Sequence, residues 1–311
     1  MFVSLAFLAA AAQLNQVVVP LGKPPPAVEK PIAPIELTGP QFAAQCKDWD
    51  DWDKPAPAVR IFGNTYLVGT CGISSILITD KAGDILIDGG TEKDADLIAD
   101  NIRSLGFRLT DVKYILHSHE HNDHVGGIAK LQRLTGAQLY ASPAAAAVLR
   151  TGAASQDDPQ AGTSAPFPAA RVDHVIKDGQ MVRIGNAVLT AVATPGHTPG
   201  ALTWWWGSCD GGVCRQIVYA DSLTPVSRDG YRFSDHPAYL AAYRASIAKV
   251  AALDCDILLT PHPSASDMVK RLALAKVENP NACRDYAAGL TKQLDERLAK
   301  EAAGPAPTSK Q

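Results

Sequence analysis

The chain is 311 residues long, 46% hydrophobic and 20% charged, with a formal net charge of −3. That length suits one large α/β domain or two small ones, with apolar residues enough for a sizeable core. A near-neutral charge without a basic run argues against nucleic acid as a partner.

Residues 1–12 read as a secretory signal. The apolar run from Met1 to Ala12 is too short to span a bilayer, and Ala10 and Ala12 offer a cleavage site before Gln13. The positively charged start usual in such signals is missing, so an ordinary apolar first helix is the alternative. No cysteine ends the run, and no lipid anchor is indicated. Residues 13–58 are proline-rich and read as an extended arm over a core. Trp49 and Trp52, within it, are either packing anchors or part of a substrate wall.

From Val59 strands begin: 60–62, 65–68, 74–79 and 84–88, separated by turn signals at Gly63-Asn64 and Lys81-Ala-Gly-Asp84. The last ends in Asp88-Gly-Gly. A carboxylate there is placed either as a hydrogen-bond acceptor behind a metal ligand or as a simple turn residue. A helix over about 94–105 follows, with Ala95, Leu97, Ile98 and Ile102 at near-helical spacing.

The strand 111–116 then runs into Leu116-His-Ser-His-Glu-His-Asn-Asp-His-Val-Gly-Gly127. His119 and His121 are two apart, so an extended backbone points both to one side. Asp123 and His124, at the turn into the next helix, can aim at a second point. Imidazole and carboxylate donors suit zinc better than magnesium or calcium, and His-x-His-x-Asp-His reads as ligands for two metals side by side. His117 lies one residue outside the pattern, and a supporting role for it is left open.

A helix from Gly127, a strand 138–141 and an alanine-rich helix near 144–149 come next. Residues 152–170 form a loop that either flanks a substrate cleft or simply links elements. Strands resume at 170–176, 180–184 and 187–192. Thr194-Pro-Gly-His-Thr-Pro-Gly200 then fixes the backbone on both sides of His197, a donor held for a metal. Two strands, 201–206 and 216–224, precede a helix over about 237–253, and Thr260-Pro-His-Pro263 again ends a strand on a histidine held by prolines, His262. The region 265–301 reads as helical and 303–311 as a disordered tail. Strands and helices repeating in two halves, with each donor cluster just after a strand, predict two sheets packed face to face, helices outside, and a site on one shared edge.

Six cysteines, none in a close-spaced zinc motif, indicate disulfides and an oxidising compartment. Of fifteen possible pairings, proximity favours Cys209–Cys214 across Asp210-Gly-Gly. Cys46–Cys71 and Cys255–Cys283 are the other two we favour, though spacing alone leaves them open.

Taken in order, His119-x-His121-x-Asp123-His124, Pro-Gly-His197, Pro-His262-Pro and Asp88-Gly-Gly resemble the metallo-β-lactamase superfamily over about residues 60–301. Within it, histidine at the first position of the cluster and Tyr219-Ala-Asp-Ser-Leu223 are most similar to class B β-lactamases of the third subclass. The resemblance implies a four-layer αββα sandwich of two mixed β-sheets over 59–302. It implies that His119, His121 and His197 bind one zinc, and that Asp123, His124 and His262 bind a second. It further implies a periplasmic, monomeric hydrolase that opens small-molecule β-lactams (penicillins, cephalosporins, carbapenems) by attack of a zinc-bound hydroxide, oriented by Asp123. Ser222 and Thr224 are candidates to hold the substrate carboxylate, or are ordinary strand-end hydroxyls. The subclass's C-terminal disulfide matches Cys255–Cys283. In glyoxalase II-like and lactonase-like relatives an aspartate in the context of Asp221 bridges the metals, which would imply a thioester or lactone as substrate. A purely structural zinc site closed by four protein ligands fits poorly, because each metal here would have three.

Overall fold

The structure, a computed structural model, describes residues 38–47 and 51–304. The segment read as a signal, the arm as far as residue 37, Trp49 and the end of the tail lie outside the described residues.

Among the described residues, twelve strands form two sheets. The first holds β1 (Val59–Phe62), β2 (Thr65–Leu67), β3 (Ile76–Ile78), β4 (Asp84–Ile87), β5 (Val112–Leu116), β6 (Gln138–Ala141) and β7 (Val172–Val175), hydrogen-bonded in chain order. Pairing is antiparallel through β4 and parallel from β4 to β7. Helices supply the parallel crossovers, as they must: α2 (Ala95–Ser104) before β5, α3 (Asn122–Val125) and α4 (Ile128–Thr135) before β6, and α5 (Pro143–Thr151) before β7. The second sheet runs β12-β11-β10-β9-β8, from β8 (Met181–Ile184), β9 (Ala187–Ala193), β10 (Leu202–Asp210), β11 (Val213–Tyr219) and β12 (Ile257–Leu259), with only β11–β12 parallel. Its outer helices are α6 (Pro237–Ala252) and α8 (Ala282–Ala302); α1 (Gly39–Gln45) packs on α7 (Met268–Ala273).

Side-chain alternation builds the layers, because successive strand residues face opposite ways. Ile76, Ile78, Ile85 and Ile87 of the first sheet meet Leu202, Trp204, Trp206, Ile217, Tyr219 and Ile257 of the second in the central core. The intervening Leu77 and Leu86 face outward onto α2, α4 and α5, through Ile98, Ile102 and Leu131. Val218 and Leu258 face α6 and α8, through Tyr243, Ile247 and Leu290. Strands β3, β4 and β12 are therefore buried on both faces, as their continuous apolar runs require, whereas the edge strands β7 and β8 keep exposed residues. The expected four layers are present.

Three sequence expectations change. The stretch read as an extended arm contains α1, capped by Thr38 and Gln41 and tied by Cys46–Cys71 to the segment after β2. The strand expected over 216–224 ends at Tyr219: Leu223 has a φ of 43°, and the carbonyls of Asp221 and Ser222 accept the Tyr286 hydroxyl instead of ladder bonds. The helical region 265–301 is broken after Ala273, where Ala275 has a φ of 51° and Arg271 donates to the Leu258, Ser266 and Val277 carbonyls. Cys209–Cys214 closes the β10–β11 hairpin and Cys255–Cys283 ties the approach to β12 to α8. No described helix is long and apolar enough to cross a membrane.

β4 opens on Asp84, whose carboxyl burial pushes up to about 6. One oxygen accepts from the Asp80 amide and the other has no hydrogen-bond partner. Below about pH 3 the group is protonated folded and unfolded, and is neutral to stability. As pH rises toward 6 the unfolded chain releases the proton first, so stability falls, and above 6 the cost is complete. Asp84→Asn is therefore expected to match wild type in unfolding free energy at about pH 3 and to exceed it by about 3 kcal/mol at about pH 8. An equal difference at both values would contradict this.

Candidate metal centre

The donors gather where β4 and β5 end. Two Gly-Gly pairs let their loops touch: the Gly89 amide donates to the His124 carbonyl at 2.7 Å and the Gly127 amide to the Gly90 carbonyl at 3.0 Å. A Cβ on Gly127 would collide with the Gly89 carbonyl. The Pro195-Gly196 turn likewise lies against the Tyr243 ring, where only glycine fits.

All six expected donors come together. His119, His121 and His197 each bring a ring nitrogen into a set whose members lie within 4.8 Å of one another. Beside it, Asp123 Oδ2 is 3.0 Å from His124 Nε2 and 3.3 Å from His262 Nε2, and those two nitrogens are 3.4 Å apart. His119 is also within 4.8 Å of Asp123 and His124, so the triads adjoin.

The second nitrogen of four of the five rings is held from behind, an arrangement that fixes tautomer and aim. His119 Nδ1 meets Asp221 Oδ1 at 2.8 Å, His121 Nε2 meets Asp158 Oδ2 at 2.9 Å, and His262 Nδ1 meets the Gly72 carbonyl at 3.0 Å. His197 Nδ1 lies 3.0 Å from the Thr224 carbonyl and 3.1 Å from its hydroxyl. The exception is His124 Nδ1, which is buried without a hydrogen-bond partner and lies 3.6 Å from Asp88 Oδ2. Asp88 itself accepts from the Ser118 amide and hydroxyl and from Tyr219, at 2.6–2.7 Å.

This donor set fits a divalent cation. His119 Nε2 is fully buried without a hydrogen-bond partner, a lone pair with nothing to receive it. Burial, reinforced by the neighbouring His124, His197 and His121, pushes His119 well below the ordinary imidazole range; burial and then His121 push His197 down to about 3. Both rings are neutral donors at neutral pH. Burial opposes charge on Asp123 as well, yet His124, His262 and His119 together outweigh it and hold the carboxyl well below the usual range. His124 is raised to about 10 against its burial, by Asp123 and then Asp88. Carboxylates that favour a proton on that ring also favour a metal cation there.

A cavity of ≈ 430 Å³ opens over the donors, lined by Trp52, His121, Gln160, Ser222, Val226 and His262 among others. Trp52 stacks on His262 with centroids 5.1 Å apart, and its face is half exposed. It thus both packs and forms a wall. Thr224 also lines this space, but its hydroxyl is engaged with His197; the Ser222 hydroxyl is buried and unpartnered. His117 points elsewhere: its Nε2 accepts from the Ser142 amide, and burial pushes the ring down to about 4. A larger cleft of ≈ 890 Å³ lies at the other end of β4, around Asp80, Asp84 and Lys113, and no donor group converges there among the described residues.

Sequence reasoning missed Asp158 and Glu120. Glu120 is buried between the donors and accepts from the Thr198 hydroxyl and the Gly200 amide, joining the first donor loop to the second. Its alternation out of phase with His119 and His121 was the available signal. Asp158 carries no local signal at all.

Two packed sheets with six such donors on their shared edge define a metallohydrolase. The family described as "Metallo-beta-lactamase superfamily" matches residues 68–262. The chain belongs to that superfamily, and its fold and donor groups imply a divalent metal. Among solved structures it is similar to MIM-2 metallo-beta-lactamase (58% identical, covering 85% of this chain and 98% of that one, TM-score 0.82). It is also similar to MIM-1 from Novosphingobium pentaromativorans (48%, 85% and 99%, TM-score 0.83) and to MEM-A1, a subclass B3 metallo-beta-lactamase from a soil metagenome library (45%, 82% and 100%, TM-score 0.79). Curated relatives include the hydroxyacylglutathione hydrolase of Methylobacterium nodulans, 34% identical over 105 residues, and that of Acidiphilium cryptum, 26% identical over 166 residues. The matches cover 34% and 53% of this chain, and the chain spans only 32% and 55% of those two relatives' lengths.

Proposed function

We propose that this chain is a zinc-dependent β-lactamase of the subclass B3 type, hydrolysing the amide bond of the β-lactam ring with two zinc ions per chain. The observation that carries the reading is the placement of Asp221. Its Oδ1 is committed to His119 Nδ1 and its Oδ2 accepts from the Leu223 amide at 3.3 Å, so it stands behind the donors and is not poised to bridge two metals. That weighs against the thioester-hydrolase reading that the curated relatives suggest, and in favour of the solved β-lactamases.

His119, His121 and His197 would hold one ion, and Asp123, His124 and His262 the other. Zinc supplies a Lewis acid and lowers the pKa of water from 15.7 to about 7. The chain's own residues do the rest. Asp123, in contact with both His124 and His262, orients the attacking water and takes up its proton. Ser222, an uncommitted hydroxyl on the cavity wall, hydrogen-bonds the substrate carboxylate, with Thr224 acting chiefly by aiming His197. Asp88 acts from behind His124. Trp52 covers one side of the cavity and limits water entry. Three disulfides support export to the periplasm, since such bonds do not persist in a reducing cytosol.

Turnover of nitrocefin and of a hydroxyacyl-glutathione thioester, each with zinc content before and after chelation, tests the proposal. The expected result is two zincs per chain, nitrocefin hydrolysis lost on chelation and regained with zinc, and negligible thioester cleavage. Chelator-resistant hydrolysis would sink the zinc mechanism, and preference for the thioester would sink the β-lactam assignment.

A further inference from the structure

We propose that Asp158 is a positioning residue that makes zinc occupancy at the His119/His121/His197 triad and the order of the 152–170 loop a single equilibrium, with Arg228 as its brace. The inference rests on the zinc reading above.

Asp158 is 2% exposed, and a carboxylate so buried is costly unless paired. One oxygen takes the His121 Nε2 and so leaves Nδ1 of that ring for the triad; the other accepts the Gln160 amide at 2.7 Å. The same carboxylate therefore touches a metal donor and the backbone of the loop. Beyond it the chain turns tightly, with the Ala161 amide on the Asp158 carbonyl and the Thr163 amide on the Gln160 carbonyl. That turn carries Gln160, whose side-chain nitrogen lies 3.4 Å from His197 Nε2, and Ser164, both on the cavity wall. The loop thus meets two donors of one triad.

A brace fixes the turn from outside. Arg228 donates its guanidinium to the Asp158 carbonyl at 2.8 Å and its amide to the Pro159 carbonyl at 2.9 Å, and lies over the Tyr231 ring. Arg297 of α8 in turn holds the Ser227 hydroxyl and the Tyr231 carbonyl, and is itself paired with Glu301, which is buried and caps the Phe233 and Ser234 amides. The end of the C-terminal helix is connected in this way to His121 through side chains that never face the cavity. Coupling of this kind is reciprocal: whatever orders the loop strengthens metal binding, and metal binding orders the loop by the same factor. Outer partners of metal-binding histidines typically govern 10–100-fold in affinity.

The test uses the full chain as wild type, Asp158→Ala, Asp158→Asn and Arg228→Ala. Zinc affinity is read by chelator competition, and amide hydrogen exchange of residues 153–163 is followed with and without zinc. In wild type, zinc is expected to slow exchange across that turn. Asp158→Ala is expected to bind its tighter zinc 10–100-fold more weakly and to lose the zinc response of the turn. Asp158→Asn, which keeps an acceptor for the His121 ring, recovers part of both. Arg228→Ala weakens zinc binding severalfold although it contacts no donor. Exchange in β4 and β5 shows in the same experiment that each variant is folded. Wild-type zinc affinity in both alanine variants, or a turn in wild type indifferent to zinc, overturns the inference while leaving the zinc reading intact. A wild-type chain that binds no zinc overturns both.

Discussion

Asp123→Asn is expected to retain the fold, hold about one zinc per chain instead of two, and lose nitrocefin turnover on the order of a hundredfold or more, the scale of removing one preorganised electrostatic contributor. The substitution changes charge while nearly preserving shape. Among the described residues, Asp123 Oδ2 is the only anionic atom in direct contact with both His124 Nε2 and His262 Nε2, at 3.0 and 3.3 Å. With an amide there, His124 and His262 remain without an anionic partner to offset the cation's charge, and the cavity wall beside His262 offers no further carboxylate among the described residues. The first triad does not include Asp123 and is expected to keep its ion. Metal analysis by mass spectrometry together with kcat/KM separates the two effects. Two zincs with full activity in the variant would remove Asp123 from both of its assigned roles, whereas two zincs with turnover a hundredfold down would leave it the proton-handling role alone.

Much of this site is legible in the sequence because its geometry is local. His119 and His121 share one side of an extended segment, and Asp123 and His124 sit one turn on; spacing alone conveys that. His197 and His262 stand out because flanking prolines fix their backbones. The layers are legible as well, since Ile76-Leu-Ile78 and Ile85-Leu-Ile87 are apolar on both faces and so must lie between two other layers. What escapes is what depends on distant partners. Asp158 looks like any loop aspartate until the fold carries it 37 positions back to His121. The end of β11 at Tyr219 is set by Thr203 and Tyr286, which bond the Asp221 amide and carbonyl from other elements. The interruption after Ala273 is likewise imposed by Arg271 reaching carbonyls on three separate segments, a contact no helical periodicity encodes.

The second large effect concerns the carboxylate that holds the donor loop to its strand. Asp88→Ala is expected to lower stability by about 4 kcal/mol or more and to deplete zinc at both positions. Asp88 is fully buried and receives three hydrogen bonds: the Ser118 amide, the Ser118 hydroxyl and the Tyr219 hydroxyl. Removing the acceptor leaves buried donors unsatisfied, each at about 1–3 kcal/mol, and His119 Nδ1, 3.3 Å from the Ser118 hydroxyl, offers no replacement because it is committed as a donor to Asp221. The backbone adds to this. Asp88 has a φ of 65°, in the left-handed region that asparagine and aspartate tolerate better than alanine. Asp88→Gly and Asp88→Asn divide the causes: glycine relieves the backbone but not the lost acceptor, and asparagine keeps one acceptor oxygen and the backbone preference. The expected order of denaturant midpoints is wild type, then asparagine, then glycine, then alanine. Total stabilities of about 5–15 kcal/mol are usual for folded domains, so the alanine variant would sit near the limit of folding. Because Ser118 immediately precedes His119, losing its two anchors releases the first donor of the cluster, and zinc content should fall in the same order as stability. An alanine variant within about 1 kcal/mol of wild type would mean that Tyr219 and Ser118 find other partners, and that the donor loop is held by its Gly-Gly contacts instead.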